Sequence, residues 1–156
     1  MTNVADAPES VRAMLGTLSE GQLILPYSVV QEIISWREPD ALPDGPDWLL
    51  GVIPWRRWKL PVVSAERLGG GGFTAPARKA HIVVCNLLTG DEEMPCVGVV
   101  TQNVPQLVRA DAETVALAEE MAETPWAAAQ LLYNGAYSWV PDFQALAGAL
   151  PRPSLT

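Results

Sequence analysis

Trp48 to Val63 reads W-L-L-G-V-I-P-W-R-R-W-K-L-P-V-V, two strongly apolar runs around a compact Trp/Arg cluster. The pattern predicts a strand over residues 48–53, a contact-making turn, and a second strand over 58–64. Tryptophan and arginine are enriched at the energetic centres of protein interfaces, and Trp55, Arg56, Arg57 and Trp58 are consecutive. The cluster points to binding rather than catalysis.

Outward from that hairpin the texture stays the same from Gln22 onward: short β-branched runs separated by Pro, Gly and Asp, the spacing of an all-β sandwich or small barrel. Further strands are predicted over residues 22–25, 29–35, 79–88, 96–104, 106–110 and 136–140. Residues 38–47, E-P-D-A-L-P-D-G-P-D, hold three prolines and read as a rigid acidic loop, because proline cannot sit in a central strand. Thr89-Gly90-Asp91-Glu92-Glu93 marks a hairpin with a charged tip. Four consecutive glycines open the stretch 69–78, the best candidate for a flexible link between two lobes. A phosphate loop is excluded there, since no Lys-Ser/Thr follows.

Three helices are expected. Residues 1–18 carry a capping-box pattern at Asp6 and Glu9, with Val11, Met14, Leu15 and Leu18 on one face and Gly16 as a stop. Asp111 can cap a second helix over 111–122, and Asp142 a last one over 143–150, ended by Pro151.

Length and charge narrow the function. At 156 residues the chain suits one domain or two small intertwined lobes and buries roughly 70% of its unfolded surface. A net charge of −8 argues against sequence-independent nucleic-acid binding, which needs a cationic surface to release counterions. Arg56, Arg57 and Lys59 nonetheless place three of the ten basic residues within four positions. That cationic spot on an acidic molecule favours an acidic protein partner. No apolar run reaches the ~20 residues that span a bilayer, so no membrane insertion is expected. The N-terminus lacks the basic and apolar regions of a signal peptide, so the cytoplasm is the expected compartment.

Catalytic chemistry is hard to find. The single histidine, His81, lies four residues before Cys85 in one strand, about 13 Å away at ~3.3 Å per residue, too far for a nucleophile and its base. One His and two separated Cys do not supply a zinc site, and Cys85 and Cys96 read as buried core thiols. Neither a metal nor a cofactor is expected. Among the six tryptophans, Trp48 and Trp139 read as core and Trp55 and Trp58 as partly exposed contact residues.

The order of motifs resembles the CheW-like adaptor family of bacterial chemosensory systems. Val30, Glu32 and Ile33 match its V-x-E-I; Gly51, Val52 and Ile53 its G-V-I; Arg56 the arginine of N-L-R-G; and Leu60 to Val63 the strand that follows. Residues 97–104 resemble the family's G-I-V-V-D-x-V, and 136–150 its closing segment. The resemblance implies an all-β fold of two intertwined five-stranded SH3-like barrels with short peripheral helices. Its layout is a helical extension over 1–19, the CheW-like domain over 20–150 and a tail over 151–156. It also implies a non-enzymatic scaffold joining the regulatory domain of a CheA-type histidine kinase to the cytoplasmic tip of a methyl-accepting chemoreceptor. The expected protein-binding residues are Val30, Glu32, Gly51 and Arg56, which match the family's motifs, together with Trp55, Arg57 and Trp58 of the Trp/Arg cluster.

The departures are specific. Pro54, Trp55 and Arg57 replace the family's asparagine, leucine and glycine around the arginine, and Ser64-Ala65 replaces an aspartate-leucine. Losing the glycine removes the residue most tolerant of positive φ and so changes the turn geometry, which suits a divergent adaptor such as those of twitching motility. Two other readings stand beside this one. A small-ligand-binding β-barrel requires an apolar cavity with Arg56 lining a closed pocket, and a hydrolase or thiol enzyme requires a folded-in partner for His81 or a cysteine.

Overall fold

The computed structural model describes residues 10–71, 78–90, 92–118 and 124–151. Among these residues eleven strands form two sheets. The first two, β1 (Ser10–Thr17) and β2 (Gln22–Pro26), belong to one sheet, and the chain then crosses through a 3-10 turn, Tyr27–Val29, into the other. That second sheet comprises β3 (Val30–Ser35), β4 (Leu49–Trp55), β5 (Trp58–Val63), β6 (His81–Asn86) and β7 (Cys96–Thr101) in the order β3-β6-β7-β5-β4. The chain returns to the first sheet with β8 (Gln106–Asp111), β9 (Val115–Leu117), β10 (Ala127–Tyr133) and β11 (Ala136–Pro141), giving the order β8-β1-β2-β11-β10-β9. One sheet is therefore inserted in sequence between two parts of the other.

Three apolar clusters follow from the period-two alternation of strand side chains. Met14, Leu23 and Leu25 of the six-stranded sheet meet Val63, Val83, Cys85, Val97 and Val99 of the five-stranded sheet in a shared core, closed by Trp139, Phe143 and Leu146. The opposite face of the five-stranded sheet buries Ile53, Trp55, Leu60, Val62, Ile82, Val84, Cys96 and Val100. That of the six-stranded sheet buries Ala13, Ile24 and Tyr133.

All eight predicted strands and the last helix are found, with shifted ends. Helix α2 (Phe143–Ala149) begins where Asp142 accepts a hydrogen bond from the Ala145 amide at 3.0 Å. A four-residue helix, α1 (Ala65–Leu68), was not foreseen; Ser64 caps it through the Arg67 amide.

Several expectations are corrected. Residues 10–17 form a strand, not the end of a helix: β1 pairs with both β2 and β8, and Gly16 lies inside it. The rest of that expected helix, residues 1–9, lies outside the described residues. Asp111 caps a turn and not a helix. Its carboxylate accepts from the Glu113 and Thr114 amides at 2.9 and 3.0 Å, and the chain then extends as β9; residues 119–122 lie outside the described residues. With β10, also unforeseen, these added strands make one sheet six-stranded where the resemblance implied five. The glycine-rich stretch 69–78 joins β5 to β6 within one sheet and so does not link the lobes; its residues 72–77 lie outside the described residues. The acidic loop is tied down midway, since Asp40 and Val52 exchange two backbone hydrogen bonds of 2.9 Å.

Candidate protein-interaction site

The β4–β5 hairpin turns through two residues, Arg56 and Arg57, with Trp55 and Trp58 directly opposite each other. Arg56 takes a φ of +53°, the left-handed region that side chains other than glycine avoid. The two indoles stack with centroids 5.8 Å apart and planes 24° from parallel. Arg56 lies over the Trp55 ring at 4.4 Å and Arg57 over the Trp58 ring at 4.8 Å. Each guanidinium is thus held against an aromatic face, which restricts its motion and leaves its edge open to a partner.

Glu32 organises this hairpin from across the sheet. Its Oε1 accepts a hydrogen bond from the Trp55 indole N–H at 3.0 Å and lies 3.6 Å from the Arg56 guanidinium. Strands β3 and β4 are the two edges of the five-stranded sheet, so these contacts bring its edges together and curl it toward a barrel. Arg37 reinforces the seam by donating to the Pro54 carbonyl. With side chains 57% and 43% exposed, Arg56 and Glu32 form a solvent-facing pair worth little as a stabilising ion pair, and its effect is orientation.

The remaining predicted residues take different places. Arg57 and Trp58 border an open cleft of about 510 Å³ with Asn86, Leu88, Gly90, Glu92 and Pro95. The Trp58 indole donates to the Glu92 carbonyl at 2.9 Å, latching the hairpin to the β6–β7 loop. Val30 is half-buried against the shared core, and Gly51 is buried. A Cβ on Gly51 would stand 2.2 Å from the Asp40 carbonyl oxygen, and its φ is +146°, so its role is to let the acidic loop approach the strand. Trp55 departs from expectation: it is only 6% exposed, because it points into the five-stranded sheet's own core and its outward face is covered by Arg56. Trp48 and Trp139 are buried, as expected.

Sequence reading passed over Arg37 and Glu92. Arg37 sits five residues beyond Glu32, just past the end of the same edge strand, which was a usable signal for a seam contact. Glu92 acts through its backbone carbonyl and left no side-chain signal. Cys85 and Cys96 belong to different apolar clusters on opposite faces of the sheet, so they cannot bridge without a strand flipping over. Burial raises both thiol pKa values, for Cys85 with a contribution from Cys96 and for Cys96 against the opposing pull of Arg56. His81 Nδ1 lies 2.7 Å from the Lys79 carbonyl.

The family model for the CheW-like domain matches residues 12–149, almost the whole chain. The chain belongs to the CheW-like domain family. A solved structure of the scaffolding protein TtCheW from Thermoanaerobacter tengcongensis superposes on it with a TM-score of 0.69 at 16% identity, over 85% of this chain and 88% of that one. At that identity the likeness speaks to the fold alone. No curated protein matches the sequence. Membership of the CheW-like family supports a scaffold or adaptor role in chemosensory signalling, and the match begins at Arg12, inside β1. No helix among the described residues is long and apolar enough to cross a membrane.

Proposed function

We propose that this CheW-like domain is a non-enzymatic adaptor that couples the cytoplasmic tip of a chemoreceptor to the regulatory domain of a CheA-type histidine kinase in the cytoplasm. The observation that carries the reading is the position of Arg56. It sits at a hairpin tip, more than half exposed, aimed by Glu32 and Trp55. A planar guanidinium so held is suited to carboxylates or helix-end carbonyls of a partner, through paired hydrogen bonds that lysine cannot reproduce. Glu32, Arg57 and Trp58 extend the same surface, while Trp55, Val30 and Gly51 shape it from beneath. The alternative of a ligand-binding barrel is disfavoured because the five-stranded sheet fills its inner face with eight buried side chains. The altered turn sequence suits a divergent system, such as one serving twitching motility.

Two measurements test this reading. The purified chain should co-migrate on size exclusion with the kinase regulatory domain from the same source, and no complex at about tens of micromolar would count heavily against it. Arg56→Gly relieves a left-handed residue without adding a second carboxylate beside Glu32, so the thermal midpoint should hold or rise. Receptor binding should weaken by about 2 kcal/mol if Arg56 is a hot spot. Unchanged affinity in a folded variant would reduce Arg56 to a solvated turn residue.

A further inference from the structure

The chain has four asparagines, and the residue that follows differs: Val4 after Asn3, Leu87 after Asn86, Val104 after Asn103 and Gly135 after Asn134. A backbone amide nitrogen can attack the side chain of the asparagine before it; a bulky or β-branched residue at that nitrogen hinders the approach, and glycine, with no Cβ, does not. Asn134 and Gly135 are also the whole of the turn joining β10 to β11, between the facing residues Tyr133 and Ala136. Both are exposed, with φ of +49° and +82°, and a Cβ at Gly135 would meet nothing within 4 Å. Among the described residues no hydrogen bond engages the Gly135 amide or the Asn134 side chain, while the Asn134 backbone N–H donates to the Thr114 carbonyl at 2.7 Å.

We propose that Asn134 is a self-modification site, where the turn converts itself to aspartate and isoaspartate with water as the co-reactant. The Gly135 nitrogen bonds to the side-chain carbonyl carbon of Asn134, the bond from that carbon to its amide nitrogen breaks, and ammonia leaves with the proton that Gly135 gives up. One water then opens the cyclic imide at either carbonyl. Opening at the main-chain carbonyl leaves the peptide link on the side chain, as isoaspartate; opening at the other leaves aspartate. One water is taken up and one ammonia released, with no change of oxidation state. The fold decides what the change does. Isoaspartate lengthens the main chain by a methylene inside a two-residue turn, and so short a connection holds the register of its strands only in its own tight geometry. The new carboxylate also adds negative charge beside Asp111 and Glu113, next to the Thr114 carbonyl that anchors the turn. Beyond Thr114 the chain runs into β9, which pairs with β10 just before the turn, Val115 against Tyr133. The modification is therefore a slow, one-way loosening of the β9–β10–β11 edge that leaves the Arg56 hairpin on the other sheet as it is. It stands whether or not the receptor and kinase assignment holds.

The test incubates the folded full chain in mildly alkaline buffer beside the free hexapeptide Leu-Tyr-Asn-Gly-Ala-Tyr, with peptide mapping by mass spectrometry over time. The fragment holding Asn134 should gain about 1 Da at a rate within about tenfold of the free peptide's, because an exposed hairpin tip opens at little cost. Fragments holding Asn86 and Asn103 should keep their mass. Asp44-Gly45, the one Asp-Gly pair, can isomerise but releases no ammonia, so the mass gain does not count it. Asn134→Gly makes a Gly-Gly turn that keeps φ > 0, and it should fold and lose the mass gain. The isoaspartate form, separated from the parent by chromatography, should exchange its β9–β11 amides at least about tenfold faster, with β4 and β5 unchanged. An unmodified Asn134 in the folded chain after the free peptide has fully converted would overturn the assignment. Unchanged exchange in β9–β11 of the isoaspartate form would overturn the loosening.

Discussion

Among the described residues, the face of the five-stranded sheet turned away from the shared core buries eight apolar side chains, from Ile53 to Val100, whereas the corresponding face of the six-stranded sheet buries Ala13, Ile24 and Tyr133. The thinner side is held by polar closure: Asn134 N–H donates to the Thr114 carbonyl at 2.7 Å, Thr114 binds Asp111, and the Tyr133 hydroxyl reaches Arg109. Its edge strand β9 also leaves Leu117 87% exposed. The difference teaches where rigidity is placed. The hairpin that presents Arg56 grows out of the better filled core, so its guanidinium is aimed by packing as well as by Glu32. The six-stranded sheet has an outer layer closed by hydrogen bonds instead.

The largest effect that sharpens this contrast is a cavity in each core. Leu60→Ala, at 1% exposure in the five-stranded sheet's core, should cost about 3 kcal/mol, and Ile24→Ala in the thin core about 2 kcal/mol, read by urea unfolding. Equal losses would mean that the two faces are packed alike.

Alkaline pH separates them in another way, because both thiols belong to the shared core or the five-stranded side. Unfolded thiols ionise near ~8.5, and burial holds the folded ones protonated above that. The unfolded state then binds fewer protons, so stability falls as pH rises, by up to about 1.4 kcal/mol per pH unit for each thiol. Cys85→Ala should flatten the fall seen by urea titration above pH ~8.5, and an identical slope would refute the linkage.

Smaller effects come from the polar ties. Tyr133→Phe should cost about 1 kcal/mol and raise hydrogen exchange in β8, while Trp55→Phe, which loses the bond to a partly exposed Glu32, should cost about as much and loosen Arg56. If Tyr133→Phe left β8 protection untouched, the closure would not depend on that hydroxyl. Leu117→Gln, at the exposed edge, should change stability by no more than about 0.5 kcal/mol; a larger loss would reveal packing on that edge.

Much of this contrast was readable in the sequence on one side and hidden on the other, for a physical reason. Strands β3 to β7 are rich in Val and Ile and bounded by turn residues, so period and propensity agree. Strand β1 is different. Its residues Val11, Met14 and Leu15 fit helical spacing by coincidence, and with Val11 and Arg12 both exposed and Ala13 and Met14 both buried it shows no alternation to contradict that reading. Strand β10 was missed because A-A-A-Q-L-L-Y is poor in β-branched residues. The signal that could have found it is Asn134-Gly135, whose φ values of +49° and +82° make the tight turn between Tyr133 and Ala136. Asp111 shows the limit of local chemistry: the same carboxylate-to-amide bonds serve a helix cap and an isolated turn, and only the strand pairing downstream distinguishes them. At the candidate site the pairing of Glu32 with Arg56 was readable from the barrel expectation, but the depth of Trp55 was not, because which face of the hairpin turns inward depends on register.

The opposite-facing cysteines have a practical consequence. Cys85 is fully buried and Cys96 only 6% exposed, and both are held in the protonated, unreactive form at neutral pH. The natural chain therefore behaves toward alkylating reagents as if it carried no cysteine while it stays folded. A single new cysteine at Leu117, or in the exposed turn at Arg57, can take a spin label or fluorophore without first removing the native pair. Each of the two faces can then be watched separately as a partner is added.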